Sequence, residues 1–214
     1  MPKQTFFNLP AEKRQRLLDA AQVEFRTYSF SEASISHIIE RANISRGSFY
    51  QYFEDKADLY AYYGQMMKKD YGAKLVKILQ ANQGDYFASF RSYIDLIVDE
   101  VFQGDDALFY AKMMEARSFE VFHKFHQKKA PRLEDERDAR FIYRFVDKSK
   151  LNLSDFEDFK MLNNLVVGGI FHTIMQGLVM KQAQGKADLE RLKQNYKRML
   201  DLLQYGAGKT EGKC

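Results

Sequence analysis

SISHIIERANISRGSFYQYFEDK, residues Ser34 to Lys56, reads as two short helices joined by a tight turn. Ser34 is placed to cap the first helix, because its hydroxyl can accept an orphan N–H of the opening turn. Ile35, Ile38, Ile39 and Ala42 then recur at helical spacing and face inward. Asn43 falls where the turn calls for left-handed backbone, a conformation Asn tolerates better than most residues. Ser45 caps the second helix. Its Phe49 and Phe53, four residues apart, lie on one face and tie the helix to a core, with Tyr52 beside them. The other face is small and polar: Ser45, Arg46, Gly47, Ser48 and Gln51. A helix that enters a DNA major groove needs this division, a slim polar front and an apolar back.

The same reading extends outward. Toward the N-terminus, Pro10 suits the first helical turn, where its missing N–H would have no partner anyway, and Leu17, Leu18, Ala21 and Phe25 form an apolar face. A break at Tyr28 to Ser31 follows. Toward the C-terminus, Asp55 is set to cap a helix with Asp58 in its first turn and Leu59, Tyr62, Tyr63 and Met66 turned inward. Gly84-Asp85 opens a helix carrying Phe87, Phe90, Ile94, Ile97, Val98 and Val101, which Gly104-Asp105-Asp106 ends. A segment from Leu108 to about Arg117 comes next, and 118–150 predicts helices and a loop around Pro131. Ser154 and Glu157 have the spacing of a capping box. It would open a long helix with Phe156, Phe159, Leu162, Leu165, Val166, Ile170 and Ile174. Gly185 separates this from a last helix striped by Leu189, Leu192, Tyr196, Met199 and Leu203. The Gly-rich tail after Tyr205 predicts disorder. No alternating β-branched run predicts a strand. The expected fold is all-α: a three-helix head over 1–56, a helical bundle over 57–205 and a disordered tail over 206–214.

Composition narrows the class. With 214 residues, 45% hydrophobic, the chain can bury a core. Its one cysteine, Cys214, excludes an intrachain disulfide, which fits a reducing, cytoplasmic setting. The N-terminus lacks the apolar run of a signal peptide. Leu165 to Met180, the most apolar stretch, is interrupted by His172, Thr173 and Gln176. It is also shorter than the roughly 20 residues a bilayer needs, so it reads as a buried helix and no membrane is expected. Net charge is +4, and up to Lys56 eight Lys/Arg face seven Asp/Glu, so bulk charge does not mark a DNA-binding end. Arrangement does: Arg41 to Phe53 holds two arginines and no acid, and can approach phosphates without repulsion. No Gly-rich phosphate loop and no nucleophile elbow is present, so no enzyme is expected and no cofactor is implied. His123 and His126, with Glu120 before them, can share a helix face but do not complete a ligand set, so no metal is expected.

The ordered run from Ser34 to Leu59, with Arg-x-x-Leu-Leu-x-Ala-Ala-x-x-x-Phe before it at Arg14 to Phe25, resembles the signature of the TetR/AcrR family of bacterial transcriptional regulators. Asn43 stands in place of the usual turn glycine and Ser29 in place of the glycine common after the first helix. The resemblance implies that Tyr50 and Lys56 contact phosphates and that Ser34 and Ser36 touch the DNA backbone. It places Arg46, Gly47, Ser48 and Gln51 where the family reads bases, with Ser45 beside them. Lys56 would add a full charge to the positive end of its helix. For Arg46 two roles stay open, a guanine contact and a phosphate contact without sequence information.

For the remainder, the resemblance implies a bundle that dimerises through its last two helices and encloses a small apolar or amphipathic effector. Gly168, Gly169 and Gly177 would permit close helix approach, although ordinary intrachain packing would use the same stripes. Effector candidates are Phe109, Met113, Phe119, Phe122, Phe125, Tyr143, His172 and Met175, an apolar set with a few polar anchors. The implied function is a homodimeric repressor released from a palindromic double-stranded DNA operator by that effector. The alternative is a TetR-like DNA-binding protein that has no small-molecule switch and acts through protein partners.

Overall fold

The computed structural model describes residues 1–105, 107, 109 and 131–206. Among the described residues every regular element is helical. These are α1 (Gln4–Phe7), α2 (Ala11–Thr27), α3 (Ile35–Ala42), α4 (Arg46–Tyr52), α5 (Lys56–Ala81), α6 (Tyr86–Gln103), α7 (Pro131–Tyr143), a 3-10 turn (Lys148–Lys150), α8 (Phe156–Gln184) and α9 (Leu189–Tyr205). Over the described residues the chain forms two compact units. Residues 1–73 with the described residues between 102 and 131 make the first, and 74–101 with 132–206 make the second. Met113, Phe119, Glu120, Phe122, His123, Phe125, His126 and the tail from 207 lie outside the described residues.

The first unit is built on an aromatic core. Phe6, Phe25, Phe49, Phe53, Tyr60 and Phe109 are each at most 2% exposed. Phe25 meets Tyr60 edge to face at 4.8 Å between ring centres, a favoured aromatic arrangement. Pro10 takes the cap position of α2 and the helix starts at Ala11, so the proline lies one residue earlier than its fixed φ suggested. Leu17, Leu18, Ala21 and Phe25 are buried as their spacing predicts. The core also reaches past residue 56. Leu59, Tyr60, Tyr63 and Met67 of α5 belong to it, while Tyr62 and Met66 pack at its edge. Burial pushes the Tyr60 phenol far above its ordinary pKa.

In the second unit, α6, α8 and α9 share a core with two buried polar ties. Tyr86 donates to Asn163 Oδ1 at 3.2 Å, and Tyr196 donates to the Val166 carbonyl at 3.0 Å. Both phenols are pushed upward by burial. Helices α8 and α9 approach closely at Gly169, where a Cβ would stand 2.6 Å from Met199 Cε, whereas Gly168 faces open space. Along α6 and α9 run three ion pairs: Arg91–Asp201 at 2.5 Å, Asp95–Lys197 at 2.7 Å and Asp99–Lys193 at 2.7 Å. Lys193 also meets Glu190, and these two carboxylates raise its pKa despite its burial.

Two expectations for α8 change. Its cap is Asp155 rather than Ser154. Asp155 accepts the N–H groups of Glu157 and Asp158, and Asp158 accepts the Ser154 N–H in return, so the capping pattern is shifted by one residue. A single carboxylate oxygen of Asp155, Oδ1, accepts both orphan donors at 2.8 and 3.0 Å, which satisfies the opening turn as an N-cap must. Second, the helix is not buried all round. It runs 29 residues, long and apolar enough by length and composition to cross a bilayer, and only 28% of its most apolar window is buried. Phe159, Asn163, Val166, Ile170, Thr173 and Gly177 form the inner face. Met161, Leu165 and Val179 are exposed on the opposite side, with Phe171 on its flank. At 100° per residue, residues 161, 165, 168, 172, 175 and 179 form a stripe on the side of α8 away from its buried face.

Candidate nucleic-acid interface

The helix-turn-helix forms as its caps dictate. Ser34 Oγ accepts the Ser36 N–H at 3.2 Å and Ser45 Oγ accepts the Ser48 N–H at 3.1 Å. Each such cap is worth about 1 kcal/mol. Between the helices Asn43 adopts φ +52°, the left-handed turn conformation. Phe49 and Phe53 are fully buried behind α4 and Tyr52 is nearly so. On the other side Ser36, Ser45, Arg46, Gly47, Tyr50 and Gln51 are exposed and Ser48 is half-buried.

Arg46 gathers these residues into one surface. Its Nη1 lies 3.5 Å from Ser36 Oγ and its Nη2 lies 3.5 Å from the Tyr50 hydroxyl. The guanidinium carbon is 5.8 Å from the Tyr50 ring centre, within cation–π range. A single side chain thus bridges the start of α3 and the front of α4. Gly47 is bare for no packing reason: a Cβ there would meet only Ser45 Oγ, at 3.9 Å.

Lys56 sits differently from the rest. Its Nζ donates to the Ala33 carbonyl at 2.6 Å and the Ser31 carbonyl at 3.3 Å, and stands 4.8 Å from the Phe30 ring centre. Partial burial lowers its pKa, an effect Glu24 partly offsets. It therefore straps the loop before α3 to the start of α5, with part of its donor capacity already committed.

Reading the sequence missed Glu24. This carboxylate is 1% exposed in α2. Its Oε1 accepts the Ser34 N–H at 2.8 Å and lies 3.0 Å from His37 Nδ1. Among the described residues its Oε2 has no hydrogen-bond partner; it is 3.9 Å from Arg41 Nη1, near enough to feel the charge and too far for a hydrogen bond. Glu24 thus braces α3 against α2. The signal was available: Leu17, Ala20, Ala21, Glu24 and Phe25 follow one helical face, and an acid on that face has to find partners.

The effector candidates among the described residues are Phe109, Tyr143, His172 and Met175. Phe109 is buried in the first core, 5.2 Å from the Tyr60 ring and 5.0 Å from the Tyr63 ring. Tyr143 packs on Phe156 and Phe159 at the start of α8. His172 is exposed and Met175 half-buried.

Comparison with known proteins agrees with this arrangement. Residues 17–63 match the family described as bacterial regulatory proteins of the tetR family, and residues 85–207 match the tetracyclin repressor-like C-terminal domain. An uncharacterized HTH-type transcriptional regulator of Bacillus subtilis strain 168, YdgC, is 42% identical over 50 residues, which span 23% of this chain and 26% of that relative. Among solved structures, a TetR-family transcriptional regulator from Pectobacterium atrosepticum superposes with a TM-score of 0.62 at 17% identity, covering 90% of this chain and 92% of that one. A TetR transcriptional regulator from Rhodococcus sp. RHA1 gives 0.53 at 15% identity, covering 92% and 97%. At such identities the likeness of structures speaks for the fold alone.

Proposed function

Because the chain belongs to the TetR family of bacterial regulators and is a transcriptional regulator rather than an enzyme, we propose that it is a homodimeric, cytoplasmic repressor. In this reading Ser34, Ser36, Ser45, Arg46, Gly47, Ser48, Tyr50, Gln51 and Lys56 face a palindromic operator. The observation that carries it is the exposed surface gathered around Arg46, on a helix whose opposite face is wholly committed to the core. Two copies would place α4 in successive major grooves, about one helical turn apart. The exposed apolar stripe of α8, with Leu202 of α9, suits a two-fold interface between copies better than contact with lipid. The stripe includes His172, and the helix carries Asn163, Asn164 and Gln176, which hydrocarbon disfavours. A small apolar or amphipathic effector would bind in residues 57–205, where Tyr143, His172 and Met175 remain candidates. Release would be a population shift in the spacing of the two heads. In this reading the shift runs through movement of the helix that begins at Lys56.

Selection of bound sequences from random duplex DNA at a fixed salt concentration tests the reading. Enrichment of a palindrome is expected, and failure to enrich any sequence would reject it. Against the selected duplex, Arg46→Ala should cost about 1–3 kcal/mol of affinity. If Arg46 reads a base, the loss is concentrated at one operator position; if it binds phosphate, the loss is uniform across sequences. Gly47→Ala separates function from folding. It should leave the melting temperature unchanged or raise it, since Ala is the better helix former by up to about 1 kcal/mol. Affinity should nonetheless fall roughly tenfold, because a methyl group intrudes where bases approach. Equal affinity for Gly47→Ala and the parent would place α4 outside the groove.

A further inference from the structure

Helix α4 is only seven residues long, too short to persist without support. Its last turn leaves carbonyls that no intrahelical N–H can reach. Phe49 O accepts the Phe53 N–H at 2.9 Å. The next three carbonyls are met by residues more than forty positions upstream. Lys3 Nζ donates to Tyr50 O at 2.8 Å, the Thr5 hydroxyl donates to Gln51 O, and Lys3 N–H donates to Tyr52 O at 2.8 Å. The segment that supplies these donors is anchored chiefly by Phe6, with the buried Pro2, the Met1 ammonium paired to Asp58 and the Phe7 ring against Tyr62 beside it. Phe6 is fully buried, 5.0 Å from the Phe53 ring centre and 5.4 Å from that of Tyr62. Lys3 and Thr5 are themselves exposed. The family match in this region begins only at residue 17, so the arm is a feature of this chain outside that shared pattern.

We infer that residues Lys3 to Phe7 form a positioning clamp for the recognition helix, setting how α4 presents its side chains to the operator. This rests on the reading that α4 contacts DNA. Tyr50 and Gln51 each carry an outward side chain on the DNA-facing surface and a carbonyl held by the arm. Losing the clamp frees the last turn of α4 and blurs the placement of those two side chains. Contacts made by Ser34 and Ser36 on α3 do not depend on it. The clamp therefore acts on discrimination between sequences more than on general attraction to DNA, which comes from phosphate contacts.

The test uses the full chain, the duplex enriched by selection and a scrambled duplex of equal length. Thr5→Val removes the hydroxyl at an exposed site and keeps the shape; Thr5→Ser keeps the hydroxyl. Thr5→Val should weaken binding to the selected duplex roughly 3- to 10-fold, the worth of one hydrogen bond, with binding to the scrambled duplex unchanged. Thr5→Ser should restore the parent ratio. Hydrogen exchange in the free protein should quicken for the amides of α4 in Thr5→Val and not in Thr5→Ser. A parent-like ratio of affinities for Thr5→Val, or an equal loss on both duplexes, overturns the clamp. Failure of the unmodified chain to select any duplex rejects DNA binding itself, and the clamp with it. If Thr5→Val proves misfolded by circular dichroism, Lys3→Met, also at an exposed site, is read by the same ratio.

Discussion

Phe49→Ala is expected to destabilise the first unit by about 3–5 kcal/mol, the usual cost of emptying a fully buried aromatic site, and to abolish operator binding with it. Phe49 has no exposed surface and lies 5.8 Å from the Phe53 ring centre, inside a core that also holds Phe6 and Tyr60. Few residues hold α4 from behind: Phe49 and Tyr52 within the helix, and Phe53 at its end. A domain stable by about 5–15 kcal/mol loses a large fraction of its margin with one such change. Denaturant titration followed by circular dichroism measures it. Phe49→Leu, which retains most of the volume, should cost about 1 kcal/mol. A Phe49→Ala variant within 0.5 kcal/mol of the parent, roughly what an ordinary surface substitution does, would mean that α4 is secured by something other than its aromatic back.

The second large effect is expected at the outer face of α8. Leu165 is 54% exposed on the side of the helix away from its buried face, and Phe171 is 56% exposed on its flank. Leu165→Glu combined with Phe171→Glu leaves the inner residues Phe159, Val166 and Ile170 in place, so helicity and thermal stability of the isolated subunit should hold. In a dimer the same two positions would bring carboxylates into a desolvated interface, where unpaired charges are costly. Sedimentation or light scattering should show a monomer in place of a dimer. Operator affinity should fall by roughly a hundredfold or more, because one head binds without the other. A variant that stays dimeric would move the interface off this face, and a parent chain that is monomeric at all concentrations would remove it.

The helix-turn-helix was legible because local chemistry decides it. The caps at Ser34 and Ser45, the left-handed Asn43 and the four-residue spacing of Phe49 and Phe53 each act within a turn or two of the chain, and a sequence displays such relations directly. The burial pattern of α2 was legible for the same reason. What escaped depends on partners distant in sequence. Lys56 reads from the sequence as a charge at a helix start, yet its ammonium donates hydrogen bonds to two carbonyls of the loop before α3. The arm at Lys3 to Phe7 precedes the helix it completes by more than forty residues; its one local sign is the pair Phe6 and Phe7 in a polar segment. On α8 the run of apolar residues fixed the helix but not its environment, since a stripe facing the core and a stripe facing a partner have the same spelling.

The ion pairs between α6 and α9 have a meaning beyond the strength of any one of them. Partly exposed pairs contribute little individually, each about 0–1 kcal/mol. Their signs, however, are not uniform: α6 offers plus, minus, minus at 91, 95 and 99, and α9 answers minus, plus, plus at 201, 197 and 193. Slide α9 by one turn in one direction and Arg91 faces Lys197; slide it in the other and Asp95 faces Asp201. Either slide trades three opposite pairs for one opposite and one like pair, so the six charges bias the apolar surfaces beneath them, which alone would tolerate a shifted fit, toward the observed register.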